Sequence, residues 1–140
     1  MHPFKAAMSL TALMALTAPV FAQEVNLYSS RHYDSDDALY AAFTEKTGIK
    51  INRIEAKADE LMARMEAEGA NSPADVFMTV DVGRISRAEE RGLLQPFESQ
   101  TIEANVPAHL RDDENLWTGL SQRARIIFYA KDRVENPPMT

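Results

Sequence analysis

The sequence predicts an α/β domain with a mainly parallel sheet and crossover helices. Three observations predict it. Strand-like and helix-like stretches alternate three times along residues 24–92. Each helical stretch closes on a glycine, at Gly48, Gly69 and Gly92. The third strand-like run is short and mostly apolar, as buried parallel strands are. Strands that alternate with helices in this way pair in parallel through right-handed crossovers.

The chain opens on a segment that stands outside this pattern. His2 and Lys5 make a weakly basic start, and Ala6 to Ala18 is apolar or small but too short for a stable bilayer span. Val20-Phe21-Ala22 then sets small residues where a signal peptidase reads them, so residues 1–22 are expected to be a secretory leader cleaved after Ala22. The alternative, a short membrane anchor, lacks a basic stop-transfer cluster behind it. Glu24 to Ser30 carries Val25, Leu27 and Tyr28 and reads as a strand. Asp34 offers an N-cap, with Asp36 and Asp37 in the first turn where the helix dipole favours negative charge. Leu39, Ala42 and Phe43 keep helical spacing up to Gly48. Ile49 to Ile54 alternates at period two, a second strand. Ala58, Leu61, Met62 and Met65 repeat at helical spacing, and the Met62–Met65 pair belongs to the core. After the turn Asn71-Ser72-Pro73, Ala74 to Val80 reads as the third strand, and Val82, Ile85 and Ala88 mark the third helix. Pro96 to Trp117 has little periodicity and reads as a long connection or a set of short strands. Arg123 to Ala130 reads as a final strand before Asn136-Pro137-Pro138.

Composition narrows the function. The chain has 15 basic and 21 acidic residues, a net charge of −6, and loss of the leader removes Lys5 and no acid. So acidic a domain is a poor partner for nucleic acid. It has no cysteine, which excludes disulfides and a lipid-modified N-terminus. An exported, unlipidated protein that serves its cell is expected in the periplasm, with no membrane insertion after the leader is removed. G-x-S-x-G, P-loop, G-x-G-x-x-G and H-E-x-x-H patterns are all absent, so nothing specific supports an enzyme.

In parallel sheets ligands bind at the carboxyl ends of the strands. The three junctions there carry Ser29, Ser30, Arg31, His32 and Tyr33, then Glu55 and Lys57, then Thr79 and Asp81. Ser, Thr and Asp are ordinary helix caps, and that role is favoured for Thr79 and Asp81 over a grip on a ligand, without excluding it. His32 and Tyr33 are not preferred caps. Imidazole and a phenol held as phenolate together suit a ferric ion. The dipeptide alone does not establish this, because an exposed His beside a half-buried Tyr is common. Arg31, Arg123 and Arg125 could bring positive charge to that edge or line solvated faces. Trp117 and Tyr129 read as core or cleft-wall residues, and His109 has no recognisable partner.

Five stretches resemble the N-terminal part of ferric-iron ABC transporter substrate-binding proteins. They are Val25 to Tyr33, Phe43 to Ile51, Ser72 to Phe77, Gly92 to Pro96, and Trp117 to Arg125, in the same order and spacing. The resemblance implies the three-layer first lobe of a type II periplasmic binding protein, truncated after the hinge strand. The implied organisation is a signal peptide over 1–22, the first lobe over 23–120, and the hinge strand with the start of a missing second lobe over 121–140. It implies His32 and Tyr33 as first-lobe ligands of Fe³⁺. Where some members place a glutamate after the third strand, this chain has Val80, which implies a His-Tyr rather than a His-Glu donor set and leaves Asp81, beside it, a weaker candidate to support the site. Arg123 or Arg125 matches an arginine that stands behind the metal ligands in such proteins. The implied function is capture of ferric iron in the periplasm by a monomer and delivery to an inner-membrane ABC permease, without catalysis. The family's remaining tyrosine ligands come from the second lobe. Two other readings stay open: the same architecture for another metal or a small organic ligand, and a fragment of an exported enzyme.

Overall fold

A computed structural model describes residues 23–137; the expected leader, its cleavage after Ala22, and Pro138 lie outside the described residues. The elements run in the predicted order. Strand β1 is Glu24–Ser29, helix α1 Asp34–Thr47, β2 Lys50–Glu55, α2 Ala58–Glu68, β3 Val76–Met78 and α3 Val82–Glu90. A short helix α4, Gln100–Asn105, follows, and single 3-10 turns stand at Gly69–Asn71 and Ala108–Leu110.

Among the described residues the sheet has the order β2–β1–β3, with both pairings parallel. The chain steps from β1 to β2 on one side, then crosses back over β1 to reach β3. With right-handed crossovers, that reversal puts α1 and α2 on opposite faces of the sheet. It also makes the carboxyl end of β1 a point where strand order reverses, the usual place for a ligand crevice.

The carboxyl half of β1 is buried throughout, at Leu27, Tyr28 and Ser29, as befits a strand covered on both faces. Tyr28 is fully buried and packs with Leu61 and Met65 of α2, joined by Ile54 and Phe77 from the flanking strands. Ala58, Met62 and Ala88 form an adjoining cluster that ties α3 to α2. The methionine pair is therefore core, as expected. The Tyr28 hydroxyl donates to both Glu68 carboxylate oxygens, at 2.9 and 3.0 Å, while Arg64 and Ser72 also donate to that carboxylate, each at 2.7 Å. Burial, then the bond to Glu68, pushes the phenol's pKa above its ordinary value. Tyr28 thus satisfies its polar tip while filling the core.

Several expectations need correction. Helix α1 starts at Asp34 with Tyr33 as its N-cap, one residue before the acidic cap the sequence offered. The apolar stripe of α1 is not core: Leu39 is 49% exposed, Phe43 is 37% exposed, and α1's buried residue is Asp36. The third strand keeps only Val76–Met78 of the apolar run. Within the long connection, α4 forms where Ser99 caps it by accepting from the Ile102 N–H.

The final strand expected over residues 123–130 does not form. Its residues are apolar and β-branched, but a strand also needs a ladder partner, and none of the described strands pairs with it. Ile126, Ile127 and Phe128 are 64%, 63% and 85% exposed, and Tyr129 is exposed rather than a core or cleft-wall residue. Trp117 is half-buried and donates its indole N–H to Glu89 at 2.8 Å, holding the connection against α3. No helix among the described residues is long and apolar enough to cross a membrane.

Candidate metal site

The site grows from the end of β1. Past Ser29 the chain leaves the ladder, and Ser30 is anchored by its N–H to the Met78 carbonyl at 2.9 Å and by its hydroxyl to Thr79 at 3.1 Å. The Ser29 hydroxyl accepts from the Arg31 N–H at 3.1 Å, and Tyr33 accepts the Asp36 N–H at 2.9 Å through its carbonyl oxygen. The turn from strand to helix is therefore held at both ends. In a strand, His32 and Tyr33 would point to opposite faces. In this turn their rings stack, with centroids 5.4 Å apart and planes at 23°. Both side chains are exposed and reachable from solvent.

Two arginines meet the tyrosine. Arg31 lies with its guanidinium carbon 4.9 Å from the centre of the Tyr33 ring, a cation–π distance. Arg123, 90 positions further along the chain, donates to the Tyr33 hydroxyl at 3.4 Å. Arg31 is in turn gripped by Asp36, which accepts from its Nε and a terminal nitrogen at 2.8 and 2.9 Å. This forked pair, foremost through its hydrogen bonds, lowers the Asp36 carboxyl's pKa and raises that of Arg31. A further Arg31 nitrogen reaches the Ser121 hydroxyl at 3.4 Å. The segment expected to be the hinge thus touches the turn at Ser121 and at Arg123.

A depression of about 490 Å³ opens where the three junctions meet. Ser30 and His32 line it from the first junction, Lys57 and Asp59 from the second, and Val80 and Arg84 from the third. A smaller one of about 180 Å³ lies on the other side of His32, beside Tyr33, Asp34, Asp37, Arg53 and Glu55. Arg53 bridges those acids, reaching Asp37 at 2.6 Å and Glu55 at 3.1 Å.

Of the residues singled out from the sequence, the structure brings together His32, Tyr33, Arg31 and Arg123. Asp81 serves as the N-cap of α3, accepting from the Arg84 N–H at 3.0 Å, and also pairs with the Arg84 side chain. Arg125 is exposed and makes no side-chain hydrogen bond or ion pair among the described residues. His109 sits exposed on the 3-10 turn Ala108–Leu110. Sequence reasoning assigned Asp36 only to the helix dipole and missed Ser121. The signal for Asp36 was its place in the first turn, within reach of Arg31. Among the described residues no three His, Cys, Asp or Glu side chains cluster to hold a metal.

Comparison with known proteins places this geometry in a family. The family model described as bacterial extracellular solute-binding protein matches residues 29–140. Iron uptake protein A1 of Synechocystis sp. is 58% identical over 113 residues, covering 81% of this chain and 31% of that protein. The major ferric iron-binding protein of Neisseria gonorrhoeae is 32% identical over 124 residues, covering 86% of this chain and 36% of its own length. The Trichodesmium protein (IdiA, FutA), solved in complex with iron and citrate ligands, superposes with a TM-score of 0.75 at 60% identity, over 80% of this chain and 35% of that one. The chain thus spans about a third of the length of the relatives it matches. Those named relatives are iron-uptake and iron-binding proteins rather than enzymes. The parallel sheet flanked by helices is that of the first lobe of a type II periplasmic binding protein. The chain belongs to the bacterial extracellular solute-binding protein family.

Proposed function

We propose that this chain carries the first-lobe part of a ferric-ion site in a periplasmic carrier that delivers iron to an inner-membrane ABC permease. The observation that carries the reading is the pair of rings at the carboxyl end of β1, His32 beside Tyr33, with Arg123 bonded to the phenol oxygen. Imidazole nitrogen and phenolate oxygen are both donors that iron accepts. The relatives' names, which speak of iron uptake and ferric-iron binding, support the same cargo. Residues 23–120 are read as one lobe and residues 121–140 as the passage toward a second, in keeping with relatives about three times as long. The leader over residues 1–22 brings the chain to the periplasm, where the complete carrier works as a monomer and performs no catalysis, the exposed run Ile126 to Tyr129 being what sets this chain alone apart. Arg31 and Arg123 stand behind Tyr33, while Asp81 is engaged as the cap of α3 and Arg125 lies exposed.

Two donors on one turn do not fill a ferric ion's coordination sphere, so an iron chelate with adjacent open positions is the appropriate probe. Ferric nitrilotriacetate is such a chelate. Adding it to the purified chain is expected to produce a visible tyrosinate-to-iron charge-transfer band that Tyr33→Phe abolishes. Absence of the band in the unmodified chain would contradict the reading. The same titration with excess citrate is expected to strip the metal, because the metal must displace a proton from the phenol and few protein donors hold it.

A further inference from the structure

Among the described residues Asp36 is the one charged side chain that is buried, at 6% exposure. It lies in the first turn of α1, where the exposed Asp34 and Asp37 already complement the helix dipole. Burying a carboxylate is costly unless it is paired and fully hydrogen-bonded. Asp36 meets that condition through one partner. Its two oxygens take two nitrogens of the Arg31 guanidinium, and its own N–H bonds the Tyr33 carbonyl oxygen. It therefore grips the side chain two residues before Tyr33 and the backbone of Tyr33 itself. The guanidinium it orients is the one that lies over the Tyr33 ring. A forked carboxylate–arginine pair fixes the plane of the guanidinium as well as its position.

We infer that Asp36 is a positioning residue of the proposed iron site: it locks Arg31 against the Tyr33 ring and so sets where the phenol oxygen points. The inference rests on reading His32 and Tyr33 as the metal donors. It explains why an acid occupies the inward position of α1, where an apolar residue would cost less to bury. Binding sites gain from such support, because a donor held in place by a locked neighbour loses less freedom when the ligand arrives. Lysine would keep the charge of Arg31 but could not offer the planar fork.

The experiment titrates ferric nitrilotriacetate into the unmodified chain and into Asp36→Asn, Arg31→Lys and Tyr33→Phe, following the visible band, with thermal unfolding measured on each. Asp36→Asn and Arg31→Lys are expected to unfold cooperatively, to bind the chelate roughly tenfold more weakly, the scale of a lost cation–π contact, and to shift the band maximum. Tyr33→Phe is expected to lose the band. Wild-type affinity and an unshifted band in both Asp36→Asn and Arg31→Lys, with the band lost in Tyr33→Phe, would overturn the inference and leave the iron reading standing. A band that persists in Tyr33→Phe would overturn the iron reading, and the inference with it. Loss of cooperative unfolding in both Asp36→Asn and Arg31→Lys would overturn the inference by making the pair a staple of the fold.

Discussion

Tyr33 occupies the N-cap of α1 without capping it, since its phenol reaches none of the helix's free N–H groups. Serine at that position would accept a bond from the first turn. Tyr33→Ser is therefore expected to raise the chain's unfolding free energy by about 0.5–1 kcal/mol while removing the iron-dependent band; denaturant unfolding and the titration check both. Stability lost at a residue kept for another purpose is common at binding sites. Asp36 gives a second residue-level expectation. Arg31, and more weakly Arg53, hold its carboxyl below the usual range, against burial and beside the Tyr40 phenol. Because folding lowers this pKa, the unfolded chain binds more protons across the acidic range, so stability rises with pH there. The contribution is complete above the ordinary aspartate pKa of about 3.9 and disappears as pH falls through the lower native value. Urea midpoints measured from neutral pH down to this range should fall more steeply for the unmodified chain than for Asp36→Asn; parallel curves would contradict the assignment.

At the scale of elements, period and punctuation carried most of the information. Helix α2 was legible because its apolar residues recur on one face and that face has a sheet to cover. Helix α1 shows the limit. Leu39, Ala42 and Phe43 have the spacing of a buried stripe, yet spacing says which residues share a face and not what lies opposite it. The fourth helix, at six residues, is too short to show a period and was announced only by Ser99. Residues 123–130 have strand composition, but pairing is a property of the neighbour. The site was half legible: chemistry marked His32 and Tyr33, while the Arg31–Asp36 fork needed the turn's geometry. These differences predict different costs. Met62→Ala, at a fully buried position, should destabilise by about 2–5 kcal/mol. Leu39→Ala, half exposed on α1, should cost less than about 1 kcal/mol. Equal shifts in denaturant midpoint would mean that α1's stripe is covered.

For the whole molecule, the sheet's reversal at β1 and the four exposed residues Ile126 to Tyr129 matter most. A contiguous apolar run with high β propensity and no proline favours association between chains. Sedimentation is expected to show self-association that rises with concentration and falls on Phe128→Lys, the most exposed of the four. Concentration-independent behaviour in both would contradict this. The reversal gathers three junctions at one edge and leaves the first of them, His32–Tyr33, facing solvent beside the segment around Arg123. The central claim is that this edge binds ferric iron through the Tyr33 oxygen. Resonance Raman spectroscopy of the chain loaded with ferric nitrilotriacetate, excited within the visible band, tests it most directly. Enhanced tyrosinate ring modes that vanish in Tyr33→Phe and persist in Tyr40→Phe are the predicted result; a spectrum without tyrosinate modes, or one unchanged by Tyr33→Phe, would contradict it.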